Sequence, residues 1–366
     1  MVVSLLVIVS MIAPIAMAAG PVEENPYRPV ELFQAVADLK AATAGKTPPA
    51  GAKFALLTNS VAPFWTAAQI GAARASAEIN VPIVFQSPTA AEKFSQQLSM
   101  LETLVNDKYT AITFSAVDRA AAKDIVRKAV DQGIHVICTD SDATSSARSL
   151  YIGMSDYDAG RAAGEAALEI IGKGKVVGQV GFATAQNAQD RIAGVMDVLE
   201  GTELEMVEVL LDDVKPEVAL SNAHTAMQKY PDLAGFITFY SINGPMAGRA
   251  VKQAGKEGVV KIVAFDVEPE TQRLMSEGVI QAMIGQRAYF YGYLSSYIMY
   301  AMSILGKDET LKVLEPYLSE WPTSEIPGVP AGSEGKIHVN TGVDVIKADT
   351  FDLYKAYLAS IGIPSQ

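Results

Sequence analysis

The sequence has a single cysteine, three histidines and two tryptophans, and it is short of positive charge. With only Cys138, no internal disulfide forms. A thiol set among apolar neighbours in mid-strand reads as a small buried hydrophobe. His135, His224 and His338 lie far apart without ligand spacing, so no metal site and no cofactor is expected, and His135 reads as packing at a strand start. Lys and Arg number 29 against 41 Asp and Glu, a net charge of −12. That balance argues against nucleic acid as a partner, because phosphates require a basic stripe.

Apolar residues make up 49% of the chain and charged ones 19%, ample for buried cores, and 366 residues favour two domains over one. The first residues, MVVSLLVIVSMIAPIAMAAG, hold an apolar run of signal-peptide length, and Ala16-Met17-Ala18 supplies a small-residue cleavage pattern. No Lys or Arg precedes that run. We read 1–18 as an export signal. The rival, an uncleaved membrane anchor, fits Pro14 and the small residues less well. The segment offers no Cys for a lipid anchor.

Residues 19–50 read as a polar leader with one helical patch near Glu31 to Ala44. A regular alternation follows. KFALLTNS, VPIVFQS, YTAITFSA and HVICTD are strands, with helices between them ending at Ile79, Asn106 and Gln132. After a helix at Ala159 to Gly172 the pattern repeats with KVVGQVGF, LEMVEVLL, AGFITFY, KIVAFDV and IQAMIGQ. Short buried strands alternating with helices predict right-handed βαβ units, here as two doubly wound parallel-sheet lobes of the α/β class. The aromatic-rich stretch YFYGYLSSYIMYAMSILG is a helix whose rings read as core rather than a cofactor box. KIHVNTGVDVI reads as one final strand, and 350–360 as a closing helix.

In open parallel sheets ligands bind beyond the C-terminal ends of the strands. The first strand leads to Phe64 and Trp65, just after Pro63. The fourth ends on Asp140. In the second half Arg191 stands near a helix start, Phe239 and Tyr240 end one strand, Asp266 another and Gln286 a third. This set suits a neutral sugar: rings cover its C–H faces, carboxylates accept from its hydroxyls, and Arg and Gln donate. One Arg against two acids is a poor match for a phosphate or a sugar acid. An Asp at a strand end also serves as a helix cap or Asx-turn residue, and Arg191 alone reads as a solvated helix charge. The joint placement on one edge of both lobes is what a purely structural account leaves unexplained.

Across residues 52 to 350 the chain resembles the ribose-binding-like periplasmic sugar-binding proteins of ABC importers, the type I two-lobe family. The segments that carry this are PFWTAAQIGA, VICTDSDATSSARSLYIGMSDYDAGRAAGE, QDRIAGV, NGPMAGRAVKQAG, KIVAFDVEPE and IQAMIGQ, in that order. The resemblance implies two lobes joined by a three-strand hinge: 51–155 with 287–335, and 156–286 with 336–366. Crossings fall near Ser155-Asp156, near Gln286-Arg287 and between Gly335 and Thr341. It also implies a ligand set. Phe64 and Trp65 match the aromatic pair that sandwiches the sugar, Asp140 and Arg191 the carboxylate and Arg of the two lobes, and Asp266 and Gln286 the second acid and the amide beside a hinge. Three positions depart from the ribose type. Ser141, followed by Asp142, stands where Arg is expected; Phe239-Tyr240 stands where an Asn is expected; and Ala62 precedes Pro63, with Asn59 close by. Ser141 and Tyr240 therefore join the set, and a pentose other than ribose, a hexose or an inositol is implied.

The implied role is an exported, monomeric, periplasmic receptor that delivers a monosaccharide to an inner-membrane ABC permease. The alternative is a receptor of the same fold feeding a chemoreceptor or sensor kinase. A sugar-responsive repressor would need a basic helix-turn-helix where the export segment stands. An enzyme using Asp140 and Asp266 as an acid pair lacks a nucleophile signature, so no catalysis is expected.

Overall fold

The computed structural model describes residues 25–89, 93–118, 120–182, 186–320 and 335–364; the expected export signal lies outside them. The first sheet holds β1 (Phe54–Leu57), β2 (Ile83–Gln86), β3 (Ala111–Phe114), β4 (His135–Thr139) and β5 (Tyr151–Gly153). Two later strands complete it, β11 (Ser319–Glu320) and β12 (Lys336–Asn340). The second sheet holds β6 (Gly174–Val180), β7 (Leu204–Leu211), β8 (Leu233–Thr238), β9 (Lys261–Phe265), β10 (Ala282–Gln286) and β13 (Val343–Lys347).

Strand order is β11-β12-β5-β4-β3-β1-β2 in one sheet and β13-β10-β9-β8-β6-β7 in the other. Both contain the same doubly wound order, so β6 to β10 repeat the layout of β1 to β5. All pairings are parallel except β11 on β12 and β13 on β10. Central strands such as β1, β3 and β4 are apolar and almost wholly buried, as parallel strands covered by helices on both faces must be.

Helices α1 (Val30–Thr43), α2 (Trp65–Ile79), α3 (Lys93–Asn106), α4 (Lys123–Asp131), α10 (Ala288–Leu305) and α11 (Lys307–Leu314) belong with the first sheet. Helices α5 (Asp156–Ile170), α6 (Gln186–Leu199), α7 (Pro216–Lys229), α8 (Asn243–Gln253), α9 (Pro269–Ser276) and α12 (Phe351–Ser360) belong with the second. The rings of α10 are buried against α1, α2 and the first sheet, which makes this helix a core element. Helices α5 and α6 cross closely. A Cβ on Gly160 would lie 2.1 Å from the Arg191 carbonyl oxygen, and one on Gly194 equally close to that of Tyr157. Only glycine allows this approach.

The chain passes between the sheets from β5 into α5 through Ser155, whose hydroxyl caps α5 by accepting from the Asp158 N–H, and from β10 into α10 across Arg287. The third passage corrects the expected boundary. KIHVNTGVDVI is two strands, β12 beside β5 in the first sheet and β13 beside β10 in the second. Residues 336–340 therefore belong to the first lobe, and the crossing falls at Thr341-Gly342. Gly342 takes φ +64° and donates its N–H to the Asn340 side chain, an Asx-type turn that breaks the strand.

The leader is more than a preamble. Helix α1 buries Leu32, Ala35, Val36 and Leu39 against α10, while Tyr27 donates from its hydroxyl to the Val345 carbonyl beyond the third crossing. Because Leu39 is fully buried, Leu39→Ala should cost about 2–5 kcal/mol of unfolding free energy. Urea denaturation of the variant and the parent measures this, and a loss under 0.5 kcal/mol would make α1 an appendage.

Candidate ligand cleft

Asp140 and Asp266 occupy the same place in the two lobes, just past the ends of β4 and β9. Each is in the left-handed region, with φ of +63° and +68°. Each donates its backbone N–H to the next strand, Asp140 to Ile152 and Asp266 to Ile284. That conformation turns the chain sharply off the strand, and Asp tolerates it better than most residues.

The Asp140 carboxylate accepts from the Ser115 hydroxyl at 2.7 Å and from the Asn59 amide at 3.2 Å. Tyr151 steadies the turn by donating to the Asp140 carbonyl at 2.7 Å. Burial raises this carboxyl to about 6 against the help of the Ser115 bond; Asp156 and Asp266 add to the rise and Arg191 opposes it. Asp266 accepts from the Gln286 amide at 2.9 Å. Its pKa too is raised, first by burial, with Arg191 the main opposing influence.

Arg191 is the buried cation between them. Its Nε donates to Asp156 at 2.8 Å and its Nη1 to the Phe239 carbonyl at 2.7 Å. The guanidinium lies 4.6 Å from the centroid of Phe265 and 5.9 Å from that of Tyr240. Burial works against its charge, but Asp156 and Asp266 outweigh that and raise its pKa.

The aromatic residues divide by burial. Phe64 is half-buried and meets Trp65 edge-on at 5.2 Å, whereas Trp65 is 3% exposed and donates its Nε1 to Asn59 at 3.2 Å. Trp65 is thus largely core, holding the Asn59 that holds Asp140. Tyr240 is half-buried with its hydroxyl on Asn187, and Phe239 is fully buried. Ser141 donates its N–H to the Ser115 oxygen at 3.3 Å and its hydroxyl reaches Asp140 at 3.4 Å. Its neighbour Asp142 turns away to a doubly bonded, buried pair with Arg148.

Four holding residues escaped the sequence reading: Ser115, Asp156, Asn187 and Asn243, the last accepting from the Tyr240 N–H at 3.0 Å. Ser115 follows β3 directly, so the strand-end criterion pointed to it; Asp156 was read only as a crossing. Among the described residues no group of His, Cys, Asp and Glu suits a metal ion. Cys138 is buried, its pKa raised by that burial. No helix among them is long and apolar enough to cross a membrane.

Two α/β lobes of like topology, joined by three passages and lined by polar strand ends, define a two-lobed α/β architecture with a cleft between the lobes. The chain matches the periplasmic binding protein domain over residues 54–308 and belongs to that family. The D-ribose/D-allose-binding protein of Pseudomonas aeruginosa is 25% identical over 201 residues, 53% of this chain and 63% of the relative. The match thus spans just under two thirds of that relative's length. The D-allose-binding periplasmic protein of Escherichia coli is 25% identical over 252 residues, 65% of this chain and 80% of the relative. A solved sugar ABC transporter sugar-binding protein from Bacillus halodurans shares the fold with a TM-score of 0.70 at 24% identity, covering 83% of this chain and 99% of its own. AraP, an arabinose binding protein from Geobacillus stearothermophilus, superposes with a TM-score of 0.67 at 25% identity, covering 82% and 98%.

The raised pKa of Asp140 has a thermodynamic sign. A carboxyl raised from 3.8 to about 6 on folding favours the folded state below pH 4, and this is lost as pH climbs through about 6. Asp140→Asn should therefore stabilise the unliganded protein at pH 7.5 by about 3 kcal/mol and give no gain at pH 4. Denaturation at both pH values checks this; equal effects at the two would refute it.

Proposed function

We propose that this protein is an exported receptor that captures a neutral monosaccharide between its lobes and delivers it to an ABC-transporter permease in the inner membrane. The ligand contacts in this reading are Phe64, Asp140, Ser141, Arg191, Tyr240, Asp266 and Gln286, with Trp65 behind Phe64 as part of its support. Asn59, Ser115 and Asp156 hold them in place. The observation that carries it is the arrangement of one guanidinium, already paired with Asp156, among two further carboxyls of raised pKa. Such a centre repels phosphates and sugar acids. Asp140 Oδ1 and Asp266 Oδ2 accept no hydrogen bond among the described residues, and the hydroxyls of a polyol supply donors to them.

Charge-assisted hydrogen bonds contribute about 1.5–3 kcal/mol each. A few of them together with contact to Phe64 and Tyr240 reach micromolar affinity. Groups from both lobes gripping one sugar favour the closed arrangement, with rotation at the three passages. The names of the curated relatives, ribose, allose and periplasmic binding, support the same reading.

Thermal-shift screening against pentoses, hexoses and inositols, followed by calorimetry, tests it, since bound ligand raises stability by mass action. At least one sugar should shift the transition. Asp266→Asn should weaken that sugar by about 10- to 100-fold, the loss of one charge-assisted bond, with unchanged circular dichroism. A panel without any shift, or full affinity in the variant, would sink the assignment.

A further inference from the structure

A cavity of about 240 Å³ lies on the hinge side of the cleft, between the start of α2 and the C-terminal helix and tail. Three of its walls are the proposed sugar contacts Phe64, Asp266 and Gln286. The remaining lining is mostly apolar, with Ala67 of α2 on one side and Ile363 of the tail on the other. An apolar cavity of about 150 Å³ accommodates benzene, so this space holds one aromatic ring with room for a substituent. A free monosaccharide, polar on almost every carbon, gains little from such a space, whose charged residues Arg287 and Asp344 are engaged with each other. A substituent on the sugar gains the burial of its apolar surface.

We propose that the cavity receives an apolar substituent attached to the sugar, so that the ligand is a glycoside with a flat, largely apolar aglycone. This rests on the sugar reading above. The sugar ring faces Asp140, Arg191 and Asp266, and the aglycone passes beside Phe64 and Gln286 into the cavity. The Glu268 carboxyl, half-buried at the cavity wall and without a side-chain hydrogen bond or ion pair among the described residues, accepts from a hydroxyl or N–H on the aglycone. Burial, reinforced by Asp266, raises that carboxyl to about 7, so it is partly neutral near neutral pH and its presence in an apolar wall is tolerated.

Calorimetry with the full chain tests this, using ribose, allose, xylose, arabinose, glucose and galactose and the phenyl glycoside of each, in both anomers. For at least one sugar the phenyl glycoside should bind tenfold or more tightly than the free sugar. Ala67→Phe fills the cavity from α2, and Ile363→Trp fills it independently from the tail, with circular dichroism of each variant matching the parent. Both should erase the gain and leave the free sugar's Kd within twofold. Free sugars that bind while no phenyl glycoside binds tighter would overturn the inference and leave the sugar reading intact. So would a gain that survives both fillings. Binding of neither sugars nor glycosides would overturn both.

Discussion

The Arg191 guanidinium is the interaction on which the cleft depends. A buried cation is costly unless paired and hydrogen-bonded, and this one is held by Asp156, by the Phe239 carbonyl and over the Phe265 ring. It is also what keeps two further buried acids from rising higher, since its charge opposes the shift at both Asp140 and Asp266. Its position follows from packing. The glycines at 160 and 194 let α6 lie against the start of α5, which sets Arg191 within reach of Asp156. A larger side chain at Gly160 would meet the Arg191 backbone itself, so the electrostatic centre is fixed by helix contact rather than by the charges alone.

Around that cation the two lobes repeat one device. Each ends its fourth strand on an Asp in the left-handed region, pinned by one bond to the adjacent strand. The non-glycine left-handed turn costs about 1–2 kcal/mol. It gives in return a carboxyl aimed off the sheet edge at a fixed height, on rigid elements rather than on a long loop. Because the device occurs in both lobes, a ligand that meets both acids bridges them. Differential contact of this kind is the requirement for a ligand to drive closure.

Much of this was legible in the residues. Buried β-branched runs alternating with helices identified the sheets, and reading what ends each run led to Asp140, Arg191, Asp266 and Gln286. Periodicity says that a run is a strand but not which sheet it joins, so KIHVNTGVDVI read as one strand although Asn340 to Gly342 carry turn chemistry. The role of Asp156 was hidden because its partner Arg191 is thirty-five residues away and meets it only through the α5–α6 crossing. Trp65 was read by residue type as a ligand platform, whereas the helix start buries it and spends its N–H on Asn59. Phe64, one residue earlier and half-buried, keeps the accessible ring.

The same long-range contacts bear on how the lobes move. Tyr27 and Asn25 bond to Val345 and Leu353 of the second lobe, while α1 is buried against α10 of the first. The leader is therefore a fourth, non-covalent link beside the three covalent passages. Its anchor at Val345 lies three residues beyond Gly342, where the chain crosses. Points close to a rotation axis travel least, so a link placed there tolerates opening and closing but resists sliding of one lobe across the other. His338 reinforces the same region: it stacks on Tyr151 with ring centroids 5.1 Å apart, and its Nε2 lies 3.0 Å from the Gly153 carbonyl. Burial lowers its pKa to about 4, so its ring is neutral at physiological pH and these bonds do not switch there. A link braced in this way beside the third passage resists sliding of one lobe across the other, which keeps Asp140 and Asp266 in register across the cleft.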